Sequence, residues 1–182
     1  MEKQCLIVID CQNDFVTGSL GSPAAQSIMP GLVARVQNHA GPVLFTRDTH
    51  YTDYLSSREG RILPVEHCLE GSEGWEIVDE LDAFRLEHDC PVFDKETFGS
   101  VHLAQKIAEM AGAGLITSVE LTGLCTDICV VSNALLIRSF VPELDVCVNA
   151  ALCAGTSEAA HKAALMTMAS CQVTVLNGGT QA

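Results

Sequence analysis

The chain has few basic residues, few aromatic residues and no long hydrophobic run. Its 10 Lys and Arg residues face 23 Asp and Glu residues, which gives a formal net charge of -13 at pH 7. Without a basic stripe, most of this surface would repel a phosphate backbone or an anionic membrane, so neither nucleic acid nor membrane is expected as a partner. No apolar run is long enough to span a bilayer.

The nine cysteines lack both the spacing of a disulfide framework and the paired CxxC motifs of a zinc site. Most of them lie in apolar runs, where a free thiol behaves as a small core residue. The N-terminal stretch MEKQCLIVID also lacks the features of a targeting signal. We therefore expect a cytoplasmic protein with reduced thiols.

The 182 residues, 48% of them hydrophobic, suffice for one well-packed core, so a single domain over residues 1–182 is expected. Short apolar runs typical of buried parallel strands occur at 6–9, 42–46, 91–93, 118–122, 144–149 and 172–176. Helix-like stretches alternate with them at 29–40, 74–81, 100–111, 126–139 and 156–170. This alternation predicts an α/β fold with three layers: an open, mostly parallel sheet with helices on both faces.

In such sheets ligands bind beyond the carboxyl ends of the strands. Asp10 follows the first strand, where it is as well suited to capping the next turn as to catalysis, and Asp14 is the rival carboxylate. Lys95 follows the strand at 91–93, although a lone lysine is more often solvated. The polar segment 51–72 is longer than loops that only connect two elements, so we expect it to line or cover the site.

The strongest local signal is the segment ELTGLCTDICVVSNAL. Its apolar strand ends at Gly123, turns through Cys125 and enters a helix whose N-cap is predicted at Thr126. Cys129 then lies in the first helical turn, where the helix dipole favours a nucleophilic thiolate and exposed N–H groups can bind an oxyanion. A buried structural thiol is the alternative. Cys125 and Cys129 could also form a pair of metal ligands, but no other close cysteine pair completes a tetrahedral site, so this is not expected.

A second group of residues has the spacing of a metal site. Asp48 and His50 follow the second strand two residues apart, so on an extended chain they face the same side. His67 stands at the far end of the polar segment. One carboxylate and two imidazoles suit zinc, iron or manganese, although each histidine alone is more often a surface or hydrogen-bonded residue.

Taken together, these elements resemble the isochorismatase-like superfamily of cysteine hydrolases, and within it the nicotinamidases. The resemblance covers nearly the whole chain through the motifs IVIDCQNDF, VLFTRDTH, LPVEHCLEGSEGWEI, FDKETFGS and TGLCTDICV. It implies an isochorismatase-like, Rossmann-like fold. It also implies a catalytic triad of Asp10, Lys95 and Cys129, an oxyanion hole formed by the backbone N–H groups of Cys125 and Cys129, and a cis peptide bond between Leu124 and Cys125.

The same resemblance implies that Asp48, His50 and His67 bind a divalent metal, zinc first, with iron or manganese as alternatives. Isochorismatase itself lacks this set. Phe15 matches an aromatic residue that packs on the substrate ring.

One departure concerns the other side of that ring. Many nicotinamidases carry a tryptophan three residues before the last metal histidine, whereas this chain has Pro64 there and Leu63 before it. Trp75 follows too late in the sequence to be a simple equivalent. Substrate identity is therefore less firmly predicted than reaction class.

The predicted activity is hydrolysis of a small amide through a cysteine thioester, with nicotinamide going to nicotinate and ammonia, as in NAD salvage. Two alternatives stay open at this point. In the first, the protein is another hydrolase of the superfamily that acts on a different small amide, carbamoyl or ureido substrate. In the second, it is a binding or scaffold protein that has the fold but no catalytic activity. By resemblance, a homo-oligomer is expected.

Overall fold

A parallel sheet of six strands forms the centre of the computed structural model, which describes residues 3–178. In chain order the strands are β1 Gln4–Ile9, β2 Val43–Asp48, β3 Val92–Lys95, β4 Ser118–Leu124, β5 Asp145–Ala154 and β6 Thr174–Leu176. Their order across the sheet is β3-β2-β1-β4-β5-β6. The chain builds outward from β1 to one edge and then from β4 to the other. The carboxyl ends of β1 and β4 therefore flank a crevice at the point where the order reverses.

Helices cover both faces of this sheet, which confirms the predicted α/β fold. They are α1 Asn13–Val16, α2 Pro23–Gln37, α3 Arg58–Ile62, α4 Asp79–Glu87, α5 Val101–Gly112, α6 Val131–Phe140 and α7 Glu158–Ser170. Helices α5, α6 and α7 pack in one hydrophobic cluster, and α2 and α4 pack in the other. Among the described residues, no helix is long and apolar enough to cross a membrane.

Strand β1 shows how the sequence produces the two clusters. Its residues Leu6 and Val8 belong to the cluster of α2, whereas Cys5, Ile7 and Ile9 belong to the cluster on the opposite face. Successive side chains of a strand point to opposite faces, so a continuous apolar run supplies both cores at once. All five residues are fully buried.

The predicted helix at 74–81 is wrong in its first half. Glu73–Trp75 forms a 3-10 turn, and α4 begins only at Asp79. Between them Ile77 makes an isolated antiparallel bridge with Gln12, and the N–H of Val78 donates to the carbonyl of Cys11. Because these backbone groups bond to the loop after β1, they are not available to a helix.

Two further boundaries differ from the prediction. Helix α2 starts six residues before the predicted residue 29, because the Ser22 side chain caps the N–H of Ala25 and Pro23 occupies the first helical position. The N-cap after β4 is Cys125 rather than Thr126.

Gly123 lies where β4 approaches the end of β1. Its φ is +111°, a conformation that residues with a side chain rarely adopt, and a Cβ atom there would overlap the carbonyl oxygen of Ile9. Two residues later the chain enters the turn that carries Cys129. Glycine thus permits the close approach of the two strands that flank the crevice.

The substitution Gly123→Ala is expected to lower the free energy of unfolding by about 1–3 kcal/mol or more, because both the φ angle and the contact with Ile9 become strained. Urea unfolding at fixed pH would measure the change. Gly112→Ala is the matched control, since a Cβ there meets no atom within 4 Å, and it should be neutral or slightly stabilising. Equal midpoints for the two variants would contradict this account.

Candidate active site

The carboxyl ends of four neighbouring strands bring the charged residues of the crevice together. Asp10 follows β1, Asp48 ends β2 and Lys95 ends β3, where the last two are register partners. Cys129 lies in the turn after β4. Cys129 and Asp48 line a pocket of about 360 Å³.

Lys95 is the centre of this group. Its ammonium nitrogen lies 2.7 Å from Oδ2 of Asp10, 3.0 Å from Oδ1 of Asp48 and 3.4 Å from Sγ of Cys129. The side chains of Lys95 and Asp10 are 2% and 0% exposed. A buried ammonium is tolerated only when it is paired, and here two carboxylates surround it. The structure thus joins the three residues of the predicted triad at one cation.

The pKa values of this group depend on burial and on mutual contact. Burial raises the pKa of the Cys129 thiol, the charge of Asp10 raises it further, and Lys95 only partly offsets this. Burial also raises the pKa of Asp10, although Lys95 acts in the opposite direction. Burial would lower the pKa of Lys95, but Asp10, Cys129 and Asp48 raise it, so the amine stays charged.

Burial and the neighbouring Asp10 carboxylate therefore oppose the thiolate form that the helix N-terminus favours. The sulfur is buried beside a carboxylate, and the anion would be poorly solvated there. A group that removes the proton during reaction is needed, and Asp10 faces the same ammonium as the sulfur.

Two polar residues that sequence reasoning missed hold the carboxylates in place. The hydroxyl of Thr46 donates to Oδ1 of Asp10 over 2.6 Å and accepts from the Asp10 N–H over 3.2 Å. Gln12 accepts from the N–H of Asp48 over 2.7 Å and donates to its carbonyl over 2.8 Å. Asp10 itself has a left-handed φ of +47°, a conformation that costs about 1–3 kcal/mol outside glycine. Thr46 is a polar residue inside an otherwise apolar strand, and this position could have indicated its role from the sequence.

A candidate metal centre adjoins the triad. Asp48, His50, Glu59 and His67 each offer one ligand atom, and these atoms lie within 4.8 Å of one another. The Nε2 atoms of His50 and His67 lie 3.0 and 3.6 Å from Oδ2 of Asp48. Both also lie within 4 Å of Oε1 of Glu59, at 3.9 and 3.8 Å. Sequence spacing missed Glu59, because it lies in a short helix within the polar segment.

This donor set fits a divalent metal. Two imidazoles and two carboxylates are ligands suited to zinc, iron or manganese, and the Nε2 atoms of both imidazoles face the carboxylates of the cluster. Burial would raise the pKa of Asp48, but hydrogen bonds from His50 and His67 and the charge of Lys95 hold it well below its usual range. The carboxylate is therefore available as an anionic ligand.

Neighbouring groups orient the two imidazoles. Nδ1 of His67 lies 2.8 Å from the carbonyl of Val65, which directs its Nε2 toward the cluster. The buried ring of Tyr54 packs against both histidines, with centroid distances of 4.6 Å to His50 and 5.0 Å to His67. The N–H of His50 donates to the carbonyl of Cys68.

The turn after β4 combines two uncommon backbone features. The peptide bond between Leu124 and Cys125 is cis, and Thr126–Val130 form a π-helical turn that leads into α6. The N–H groups of Ile128 and Val130 both donate to the carbonyl of Cys125 over 3.1 Å. That the N–H groups of Cys125 and Cys129 bind an oxyanion stays a prediction.

The connection between β5 and α7 holds this turn from outside. The Asp127 carboxylate accepts from the N–H of Thr156 over 2.8 Å and from its hydroxyl over 2.6 Å. The buried Thr126 hydroxyl lies 2.8 Å from Nδ1 of His161. Two successive residues of the turn are thus anchored, one to the connection after β5 and the other to α7. Sequence reasoning missed His161, which lies apart from the other histidines along the chain.

The walls of the pocket are largely apolar. They include Phe15, Leu20, Leu63, Phe98, Leu124 and Ile128. The Phe15 ring lies 5.6 Å from the His67 ring. Leu63, which belongs to the polar segment 51–72, is thus one of the residues that line the pocket. Trp75 does not line it, because its indole N–H donates to Thr49 and the Arg47 guanidinium lies 3.6 Å over its ring.

Asp14, the rival carboxylate, serves the backbone instead. It accepts from the N–H of Cys68 over 2.8 Å and from the N–H of Ser19 over 3.2 Å. It therefore ties the loop after β1 to the residue beside His67.

Comparison with known proteins extends this description. A family model described as the isochorismatase domain matches residues 4–179. The chain belongs to the isochorismatase family. A nicotinamidase of Schizosaccharomyces pombe is 28% identical over 170 residues, which cover 73% of this chain and 76% of that protein.

Solved structures of this isochorismatase-family fold agree closely with the chain. A nicotinamidase/pyrazinamidase of Bacillus subtilis superposes with a TM-score of 0.81 at 26% identity, and covers 97% of this chain and 100% of its own. A pyrazinamidase of Pyrococcus horikoshii in complex with zinc has a TM-score of 0.77 at 25% identity, with 96% and 98% covered. These likenesses extend over the whole described fold.

The substitution Glu59→Gln is expected to weaken zinc binding about 10-fold to 100-fold, because it removes the charge of one of the four clustered donors. Competition with a chelating dye would measure the affinity. Glu87→Gln, at the exposed end of α4, is the matched control and should bind zinc as the wild type does. An unchanged affinity for Glu59→Gln would exclude this carboxylate from the site.

Proposed function

We propose that this isochorismatase-family protein is an amidohydrolase that converts nicotinamide to nicotinate and ammonia through a thioester on Cys129. The observation that carries the proposal is the buried ammonium of Lys95, which lies 2.7 Å from Asp10 and 3.4 Å from Cys129 at the pocket. The similarity to nicotinamidases favours nicotinamide among small amides. Another amide, a carbamoyl or a ureido compound is the alternative, because Leu63 is aliphatic.

In the first step Asp10 accepts the proton of the Cys129 thiol while the sulfur attacks the amide carbon. Lys95 supports this transfer, since its charge stabilises whichever of the two groups is anionic. The raised pKa of the thiol fits a nucleophile that is deprotonated only as it reacts. Backbone N–H groups of Cys125 and Cys129 stabilise the developing oxyanion.

Collapse of the tetrahedral intermediate breaks the carbon–nitrogen bond. Protonated Asp10 returns its proton to the departing nitrogen, so ammonia leaves and the acyl group stays on Cys129. A water molecule then attacks the thioester carbonyl while Asp10 accepts its proton. The second tetrahedral intermediate then collapses, the carbon–sulfur bond breaks, and Asp10 returns its proton to the sulfur, which restores the thiol. The acid product loses its proton to water and leaves as nicotinate.

Asp48, His50, Glu59 and His67 would hold a divalent metal, for which we propose zinc. The metal would supply a Lewis acid that binds the pyridine nitrogen and so orients the ring. Phe15 packs beside this centre and would contact one face of the ring. Lys95 keeps the Asp48 carboxylate in place from the side of the triad.

A cytoplasmic location and a homo-oligomeric state complete the proposal. The cytoplasmic location is supported by the nine free cysteines, because thiols stay reduced in that compartment. The second rests on family resemblance alone.

Purified protein is expected to release ammonia from nicotinamide, to lose this activity after chelation, and to regain it when zinc is added. Cys129→Ala should fold normally and be inactive, because the nucleophile is gone. The control Cys171→Ala changes an exposed thiol outside the pocket and should retain full activity. Turnover by the Cys129→Ala protein would exclude the thioester mechanism.

Asp10→Asn is expected to lower kcat about 10²-fold to 10⁴-fold, because an amide cannot take the thiol proton. Asp14→Asn should keep most of the activity, since an amide oxygen can still accept from the N–H of Cys68. Steady-state kinetics of both variants would separate the two carboxylates. A greater loss for Asp14 than for Asp10 would reverse the assignment of the base.

A further inference from the structure

A second depression adjoins the candidate active site and shares part of its wall. This outer groove has a volume of about 460 Å³. Three apolar residues, Leu63, Phe98 and Ile128, line both the pocket and the outer groove, together with Glu59 of the candidate metal centre. Ile62 lines only the groove. The two depressions therefore meet along a rim made of three apolar side chains and one carboxylate.

Large apolar side chains at the rim and in the groove are exposed, although polar residues also line the groove. Ile62 is 74% exposed, Phe98 42% and Leu63 37%. Large exposed apolar side chains that cluster at one place mark binding grooves more often than ordinary surface. Here the cluster continues the wall of the pocket that contains Cys129, which indicates that one ligand occupies both.

The backbone on both sides of the rim is fixed. The hydroxyl of Tyr54 donates to the carbonyl of Leu63 over 2.9 Å, and the buried Tyr54 side chain packs against His50 and His67. Asn133 donates to the carbonyl of Phe98 over 3.1 Å. The same amide group donates to the carbonyl of Cys129 over 2.8 Å.

These contacts tie one side of the rim to the metal cluster and the other side to the nucleophile. A groove held in this way is preorganised, so little ordering of the protein opposes binding in it. A flexible surface loop would lack this property.

We propose that the substrates of this protein include aromatic carboxamides that carry an apolar substituent on the ring, and that the outer groove binds this substituent. The inference rests on the proposed amide hydrolysis at Cys129 and extends its substrate class. The pocket alone lies in the size range of sites for ligands larger than a one-ring amide. An apolar group that crosses the rim covers Ile62, which lines only the groove and stays exposed when a one-ring amide occupies the pocket.

The test compares nicotinamide with the positional isomers of phenylnicotinamide, each with one phenyl group on the pyridine ring, as substrates of the zinc-loaded wild-type protein. At least one isomer is expected to be hydrolysed with a kcat/KM no lower than that for nicotinamide. Ile62→Ser should lower kcat/KM for that isomer about tenfold, because the hydroxyl replaces an apolar contact. Activity on nicotinamide should be unchanged, since Ile62 does not line the pocket.

Two further variants control for general effects of substitution. Ile62→Val keeps an aliphatic side chain and should retain most of the activity on the phenyl isomer. Leu86→Ser changes a leucine that is 64% exposed on α4, outside the groove, and should affect neither substrate.

The outcomes separate this inference from the proposed function. Hydrolysis of nicotinamide but of none of the isomers would overturn the inference alone, and so would an equal response of both substrates to Ile62→Ser. Hydrolysis of an isomer but not of nicotinamide would support the groove and overturn nicotinamide as the substrate. Hydrolysis of neither compound would overturn both.

Discussion

The buried ammonium of Lys95 is the interaction on which the candidate site depends. It faces Asp10, Asp48 and Cys129 at once. Two carboxylates without this charge would repel each other in a medium of low polarity. The pair of carboxylates is therefore tolerated because one lysine serves both.

The carboxylate of Asp48 belongs to both groups of residues, the triad and the candidate metal centre. One carboxylate oxygen faces Lys95, and the other faces the imidazoles of His50 and His67. The candidate metal centre and the triad are thus joined through a single side chain. Gln12 binds both backbone groups of Asp48, so the loop that carries Asp10 also fixes this shared residue.

Much of the fold could be predicted because apolar runs separated by amphipathic stretches leave few alternatives to an open parallel sheet. The helix expected at 74–81 was placed too early, because Ile77 and Val78 bond to the loop after β1, a distant contact that local pattern does not contain. Residues at strand ends were found by their position. Thr46 and His161 were missed, since each acts through a partner that is far away in the sequence. Glu59 was missed because it lies in a short helix within the polar segment.

Asn133 has a wider consequence for how this protein could change. Its side chain accepts from the N–H of Ser100 and donates to the carbonyls of Phe98 and Cys129, so all its contacts are with the main chain. The identity of the side chain at position 98 is therefore independent of these bonds. Mutation of the rim can alter which molecules enter without moving the sulfur. Substrate range and chemistry are in this way separable traits, and a lineage could explore new amides while the reaction is preserved.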